Sequence, residues 1–140
     1  LGDYEAAIVS AERVVELDPD SAMGLNLLAY LLAQLNRDLP RAEALVRAAM
    51  TQGSEPDGAL LDTLGFIALR SGRAGEALPL LLEASQLLPD HPTVLGHLGD
   101  AYAALGRTPE AVATWKAAFA ATDEGPARRA LKRKIARRRP

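Results

Sequence analysis

Leu95, Leu98 and Tyr102 stand at i, i+3 and i+7, the spacing that lines one face of a helix. Leu61 and Leu64 repeat the arrangement upstream, and Leu25, Leu28, Ala29 and Leu32 do so once more. Near the end, Ala127, Leu131 and Ile135 recur every four residues as a narrower apolar stripe. Gly72, Pro89, Pro92, Gly106, Pro109 and Pro126 punctuate the spaces between the stripes. The pattern predicts helices over residues 3–17, 22–35, 39–52, 57–70, 74–87, 92–105, 109–121 and 126–138, an all-α chain.

The stripes are copies. Leu61 and Leu95 are 34 residues apart, and the same interval separates Leu64 from Leu98, Gly65 from Gly99, Gly72 from Gly106, Glu76 from Glu110, Ala77 from Ala111 and Ala84 from Ala118. Periodicity of this length marks stacked two-helix units, an α-solenoid. Gly99 lies within a helix, where a missing side chain lets a neighbouring helix approach. Gly106 follows the helix and suits the C′ position, where a positive φ is cheap only for glycine. Pro109 suits the first turn of the next helix, with Thr108 as its N-cap. Ala111 and Ala118 are small where two helices would cross. Leu25 and Leu61 are 36 residues apart, and the two surplus residues are expected in the turn "LNRDLPRA", Leu35 to Ala42. Gly2, Tyr4, Ala7 and Pro19 read as the second half of a preceding unit, so Leu1 already stands inside the pattern. The expectation is a fragment or a processed chain.

These positions resemble the tetratricopeptide repeat (TPR) family. Leu95, Leu98-Gly99, Tyr102, Gly106, Ala111, Trp115 and Ala118 follow the family's order, and Leu61, Leu64-Gly65, Ala68, Gly72, Ala77, Leu81, Ala84 and Pro89 follow it again. Asp123 departs from it, standing where the family closes on Pro. The resemblance covers roughly Leu1 to Thr122 and implies a right-handed superhelical ribbon whose concave face is lined by the first helix of each unit. It divides the chain into a half repeat at 1–21, repeats at 22–56, 57–91 and 92–125, and a basic capping helix at 126–140. The whole is about three and a half repeats with a cap. The stretches from "LLAYLLAQLNRDLPRAEALVRAAM" onward resemble the C-terminal repeats of bacterial TPR scaffold and adaptor proteins. Many of those are envelope lipoproteins, which leaves the compartment open between bacterial cytoplasm and periplasm or envelope.

Composition agrees with helices, because Ala and Leu dominate the apolar set. There is no cysteine, which removes disulfides and thiolate metal sites. No apolar run approaches the roughly 18 residues of a membrane span. The net charge of −2 hides a split. Leu1 to Gly125 carries all 18 acids and eight bases, whereas Pro126 to Pro140 carries eight bases and no acid.

Catalytic motifs are missing: there is no Gly-x-Ser-x-Gly, no Walker loop and no His-Glu-x-x-His. His91 and His97 are the only histidines, too few for a zinc site without carboxylates converging on them. Asp62 and Asp100 fall on adjacent first helices, but an open ribbon offers a proton-transfer pair no enclosure. The reading is of a chain that is not an enzyme and holds neither metal nor cofactor.

The resemblance carries the inner groove positions to Met23, Asn26, Leu27, Tyr30 and Gln34, then Ala59, Asp62, Thr63, Phe66 and Arg70, then Thr93, His97, Asp100 and Ala104. The candidate partner-binding residues among them are Asn26, Tyr30, Gln34, Asp62, Phe66, Arg70, His97 and Asp100. Tyr30 and Phe66 are either anchors for a peptide or helix, or packing between helices. Asp62 and Asp100 would repel a carboxylate, so a neutral or basic partner segment is expected. The tail residues Arg128, Arg129, Lys132, Arg133, Lys134, Arg137, Arg138 and Arg139 belong either to a cap over the last repeat or to an electrostatic surface. Three functions follow in order: a protein-binding scaffold, an oligomerisation module, and an electrostatic binder of nucleic acid or anionic membrane. Nucleic acid is disfavoured by the acidic body and by a tail without aromatics.

Overall fold

The computed structural model describes residues 2–138, and among them are eight α-helices and no strand. They are α1 (Gly2–Leu17), α2 (Ala22–Gln34), α3 (Leu39–Met50), α4 (Gly58–Arg70), α5 (Ala74–Leu87), α6 (Pro92–Ala104), α7 (Thr108–Ala121) and α8 (Pro126–Arg137). Their ends fall within two residues of the expected ones. Helices pair as α2 with α3, α4 with α5 and α6 with α7. The first helices also touch in sequence, α2 with α4 and α4 with α6, and so form the inner layer of the ribbon.

The repeated glycines explain how the pairs form. A Cβ on Gly99 would lie 2.3 Å from Trp115 Cδ1, and one on Gly65 would lie 2.6 Å from Leu81 Cγ. Each glycine is therefore the hollow into which the second helix of its pair inserts its largest core side chain. Leu81 and Trp115 are in turn flanked by Ala77 and Ala84, and by Ala111 and Ala118, all four fully buried. Such small residues let helix axes close together. Each fully buried Leu or Ile along this seam, such as Leu28, Ile67 and Leu81, contributes about 1.5–3 kcal/mol of transfer free energy.

The turns follow one template. Gly106 adopts φ +74°, its N–H donates to Ala103 O, and the next N–H, of Arg107, reaches Tyr102 O. Gly72 does the same at φ +77°, with bonds to Leu69 and Ala68. This is the Schellman arrangement, which satisfies the last carbonyls of each first helix. Asn36 takes the equivalent place after α2, at φ 50°, with bonds from Asn36 to Ala33 and from Arg37 to Leu32.

Two expectations are corrected here. Thr108 is the first residue of α7 and not its N-cap. That place is held by Arg107, without a side-chain hydrogen bond. The two surplus residues do not both lie between Leu35 and Ala42. After Gly72, Arg73 both ends the Schellman turn and caps α5. After Asn36 those duties are divided between Arg37 and Asp38, which inserts one residue there. From Ala42 to Ala49 the spacing equals that from Ala77 to Ala84, so the other surplus residue lies between α3 and α4. The α3–α4 connection runs from Thr51 to Asp57, where Asp57 caps α4 through its carboxylate.

Helix α8 packs on α7 and buries Leu131 and Ile135 against Ala111, Trp115 and Ala118. Arg128 fastens its start. The guanidinium donates to the carbonyls of Phe119 and Thr122 at 2.8 and 2.6 Å and sits 3.8 Å above the Phe119 ring. It thereby closes the C-terminal end of α7 with a positive charge.

Candidate interaction groove

The inner layer presents α2, α4 and α6 side by side, and the residues expected on it are brought together. Asp62 on α4 and His97 on α6 form a buried pair, with His97 Nδ1 2.8 Å from Asp62 Oδ1. The contact with Asp62 fixes the orientation of the His97 ring and leaves Nε2 as the ring nitrogen not engaged by Asp62. The His97 ring lies against Phe66, centroids 4.3 Å apart and planes 9° from parallel. Tyr30 on α2 completes the stack, 5.6 Å from Phe66. Phe66 is buried, whereas Tyr30 is half-buried.

The Tyr30 hydroxyl accepts from Gln34 Nε2 at 2.8 Å. Burial raises its pKa above the ordinary phenol value, so the hydroxyl keeps its proton and stays a donor. Arg70 crosses from α4 to the end of α2, donating from Nε to Ala33 O at 3.0 Å and from Nη2 to Gln34 O at 2.7 Å. Its guanidinium also lies 5.5 Å from the Phe66 centroid. Arg70 thus ties two repeats together while its charge faces only neutral partners.

Asp100 is engaged from two sides. Its Oδ1 accepts from Trp115 Nε1 at 3.0 Å and from Lys134 Nζ at 2.7 Å. The two acids each have an internal partner, Asp62 the His97 ring and Asp100 the Trp115 indole and the Lys134 ammonium. Lys134 is also where groove and tail meet, a link that the sequence reading missed. Its signal was the spacing: Asp100 and Lys134 are 34 residues apart, one repeat.

Two of the cavities along this face involve the expected groove residues of α2 and α4. The larger, about 590 Å³, is walled by Tyr30, Gln34, Phe66 and Arg70, by Pro92, Thr93, Gly96, His97 and Asp100, and on its far side by Thr122, Pro126, Ala127, Ala130, Leu131 and Lys134. The smaller, about 420 Å³, lies toward the start of α2 and is walled by Met23, Asn26, Leu27, Tyr30, Ala59, Asp62, Thr63, Leu88, His91 and Val94. Tyr30 belongs to both. Asn26 makes no side-chain hydrogen bond among the described residues, and its Oδ1 is shut from water.

Of the tail residues, Arg128 and Lys134 turn inward. Arg129, Lys132, Arg133, Arg137 and Arg138 are exposed, and Arg139 lies outside the described residues. No group of three or more His, Asp or Glu among the described residues is placed to hold a metal ion. No helix there is long and apolar enough to cross a membrane.

Comparison with known proteins agrees with this architecture. Residues 1–56 and 68–135 each match a tetratricopeptide repeat family model. A TPR repeat-containing protein of Pseudomonas aeruginosa is 38% identical over 87 residues, which is 62% of this chain and 14% of that protein. The chain therefore spans about a seventh of the length of that relative. A thermophilic TPR protein from Thermus thermophilus superposes with a TM-score of 0.74 at 21% identity, over 98% of this chain and 73% of that one. PcrH, in complex with the chaperone binding region of PopB, superposes with a TM-score of 0.67 at 19% identity, over 86% of this chain and 95% of that one. PcrH itself is a protein of Pseudomonas aeruginosa.

Proposed function

We propose that this chain, which belongs to the tetratricopeptide repeat family, is a non-enzymatic scaffold that holds a segment of a partner protein in the concave cavity between α2, α4, α6 and α8. The observation that carries the reading is the 590 Å³ cavity itself, whose polar walls are already fixed by internal bonds. A surface ordered in advance leaves the ordering entropy of binding to the ligand alone. Three polar wall residues are held by contacts within the protein: Arg70 by the end of α2, Asp100 by Trp115 and Lys134, and His97 by Asp62 and Phe66. The fold-level likeness to PcrH, a structure that holds a segment of PopB, supports a groove that takes protein segments.

Asn26, Tyr30, Gln34, Arg70 and His97 are the contacts this reading assigns, with Phe66 and Asp62 behind them as positioning residues. Self-association and anionic-surface binding through the outward bases of α8 remain the competing readings. Both require binding that ignores the cavity.

Gly96 makes the test clean, because a Cβ there meets nothing within 4 Å. Gly96→Trp adds an indole at a cavity-wall position whose Cβ is unobstructed. Proteins captured from a native lysate by the parent chain should be lost with Gly96→Trp and retained by Glu83→Arg, on the exposed part of α5. Circular dichroism should show both variants folded. Capture that is unchanged by Gly96→Trp sinks the reading.

A further inference from the structure

The basic helix and the concave face, separate candidates in the sequence, share one cavity. Helix α8 and its cap contribute seven bases and no acid between Pro126 and Arg138, and Lys134 stands in the cavity wall. Across from it, Arg70 donates to two neutral carbonyls and has no acidic partner among the described residues. Its Nη1 engages no acceptor among the described residues. Lys134 has further N–H groups beyond the one that reaches Asp100. The Tyr30 hydroxyl, which accepts from Gln34, still has its own proton to donate. Asp100 stands in the same wall and is matched by Lys134, so the wall keeps one net positive charge, that of Arg70, which favours an anionic group between the two cations.

The second cavity differs in kind. Met23 and Leu27 project into it at 83% and 47% exposure, and Leu88 and Val94 back them. Asn26 holds an amide oxygen away from water with no donor. Turning that amide about its last torsion would present the oxygen to the cavity, where a backbone N–H could satisfy it.

We infer that the groove reads a partner segment carrying one apolar and one acidic side chain, the apolar one beside Met23 and Leu27, the acidic one between Arg70 and Lys134. The inference rests on the scaffold reading above and names the partner's chemistry. Asn26 and Gln34 mark the two cavities and lie eight residues apart on α2, roughly 12 Å along a helix axis. An extended segment covers that in three or four residues, at about 3.3 Å each. A lipid surface does not fit, because the apolar side of α8 is buried against Trp115 and Ala118 and none is left to enter a bilayer.

The test uses the full chain and short fluorescein-labelled peptides on a Gly/Ser background, with Leu and Glu spaced at three or four residues. Fluorescence anisotropy should show binding of the Leu/Glu peptide, weakened about tenfold or more when Glu becomes Lys and by a similar factor when Leu becomes Ser. Lys134→Gln in the protein should shrink the preference for Glu over Lys, and Leu27→Asp should abolish the preference for Leu over Ser. Both sites are partly exposed, so the fold is spared. Equal or tighter binding of the Lys peptide overturns the inference, as does tighter binding of a single-stranded DNA of similar length. Failure of every peptide overturns it too. A lysate partner that depends on the cavity but presents a basic segment would overturn this inference and leave the scaffold standing.

Discussion

Gly96 and Gly99 lie one turn apart on the same helix, yet alanine should act on them with opposite sign. At Gly96 the new methyl enters open space, and the unfolded chain loses freedom, so Gly96→Ala should stabilise by about 0.5–1 kcal/mol. At Gly99 the same methyl would sit 2.3 Å from Cδ1 and 2.5 Å from Nε1 of the Trp115 indole. The indole is only 3% exposed and cannot swing outward freely. Displacing it costs about 1–3 kcal/mol in overpacking. The bond from Nε1 to Asp100, 3.0 Å long, is lost with it, at a further cost of about 1–3 kcal/mol. After subtracting the helix-propensity gain, Gly99→Ala should destabilise by about 3 kcal/mol. At this chain length one kcal/mol moves the melting temperature by about 3–5 °C. Thermal melts followed by far-ultraviolet circular dichroism should then show Gly96→Ala a few degrees above the parent and Gly99→Ala about 10 °C below it. Trp115 fluorescence should shift in the second variant only. A Gly99→Ala protein that melts at or above the parent would refute the account of how α6 and α7 pack.

Arg70→Ala should lower stability by about 1–3 kcal/mol in denaturant melts, because the last carbonyls of α2 lose a charged donor. Asn36→Val should cost about 1–2 kcal/mol, since a β-branched residue would be forced to positive φ, whereas Asn36→Gly should not. Glu43 accepts from Arg47 and Arg73, and these bonds hold its carboxyl below the usual carboxylate range. A depressed folded-state value means that the unfolded chain binds the proton more readily. This contribution is therefore present above the ordinary carboxylate value and is lost as pH falls through the lower folded one. Melting temperature measured below about pH 4.5 should fall less steeply in Glu43→Gln than in the parent. An identical slope would show that the pair contributes nothing.

Much of the fold could be read from the chain because the repeat is written in residues that each answer one local demand. Gly65 and Gly99 admit a neighbour, Gly72 and Gly106 take positive φ, and the alanines set the helix spacing. What could not be read arises where demands are shared. Asn36 replaces the turn glycine because Asn tolerates the left-handed region, and the split of duties between Arg37 and Asp38 has no counterpart in the later repeats. The groove residues were legible as positions but not as partners. Asp62 and His97 are 35 residues apart, one more than the repeat. Their spacing alone places them on adjacent inner helices, but only the stacking angle brings Nδ1 to Oδ1. The tail was read as a cap or a charged surface. Its place as a cavity wall depends on how α8 leans from α7 toward α6, which no local pattern encodes.

The central claim is that the partner lies in the concave cavity between α2, α4, α6 and α8, and a photo-crosslinker tests this most directly. A benzoyl-phenylalanine at position 96 projects into the 590 Å³ cavity, and one at position 83 points away from it on α5. After irradiation in cells, mass spectrometry should find partner peptides joined to position 96 and absent from position 83, with the joined peptides carrying the acidic segment. Crosslinks from position 83, or from the outer face of α8 at Arg133, without any from position 96 would place the partner elsewhere and contradict the groove.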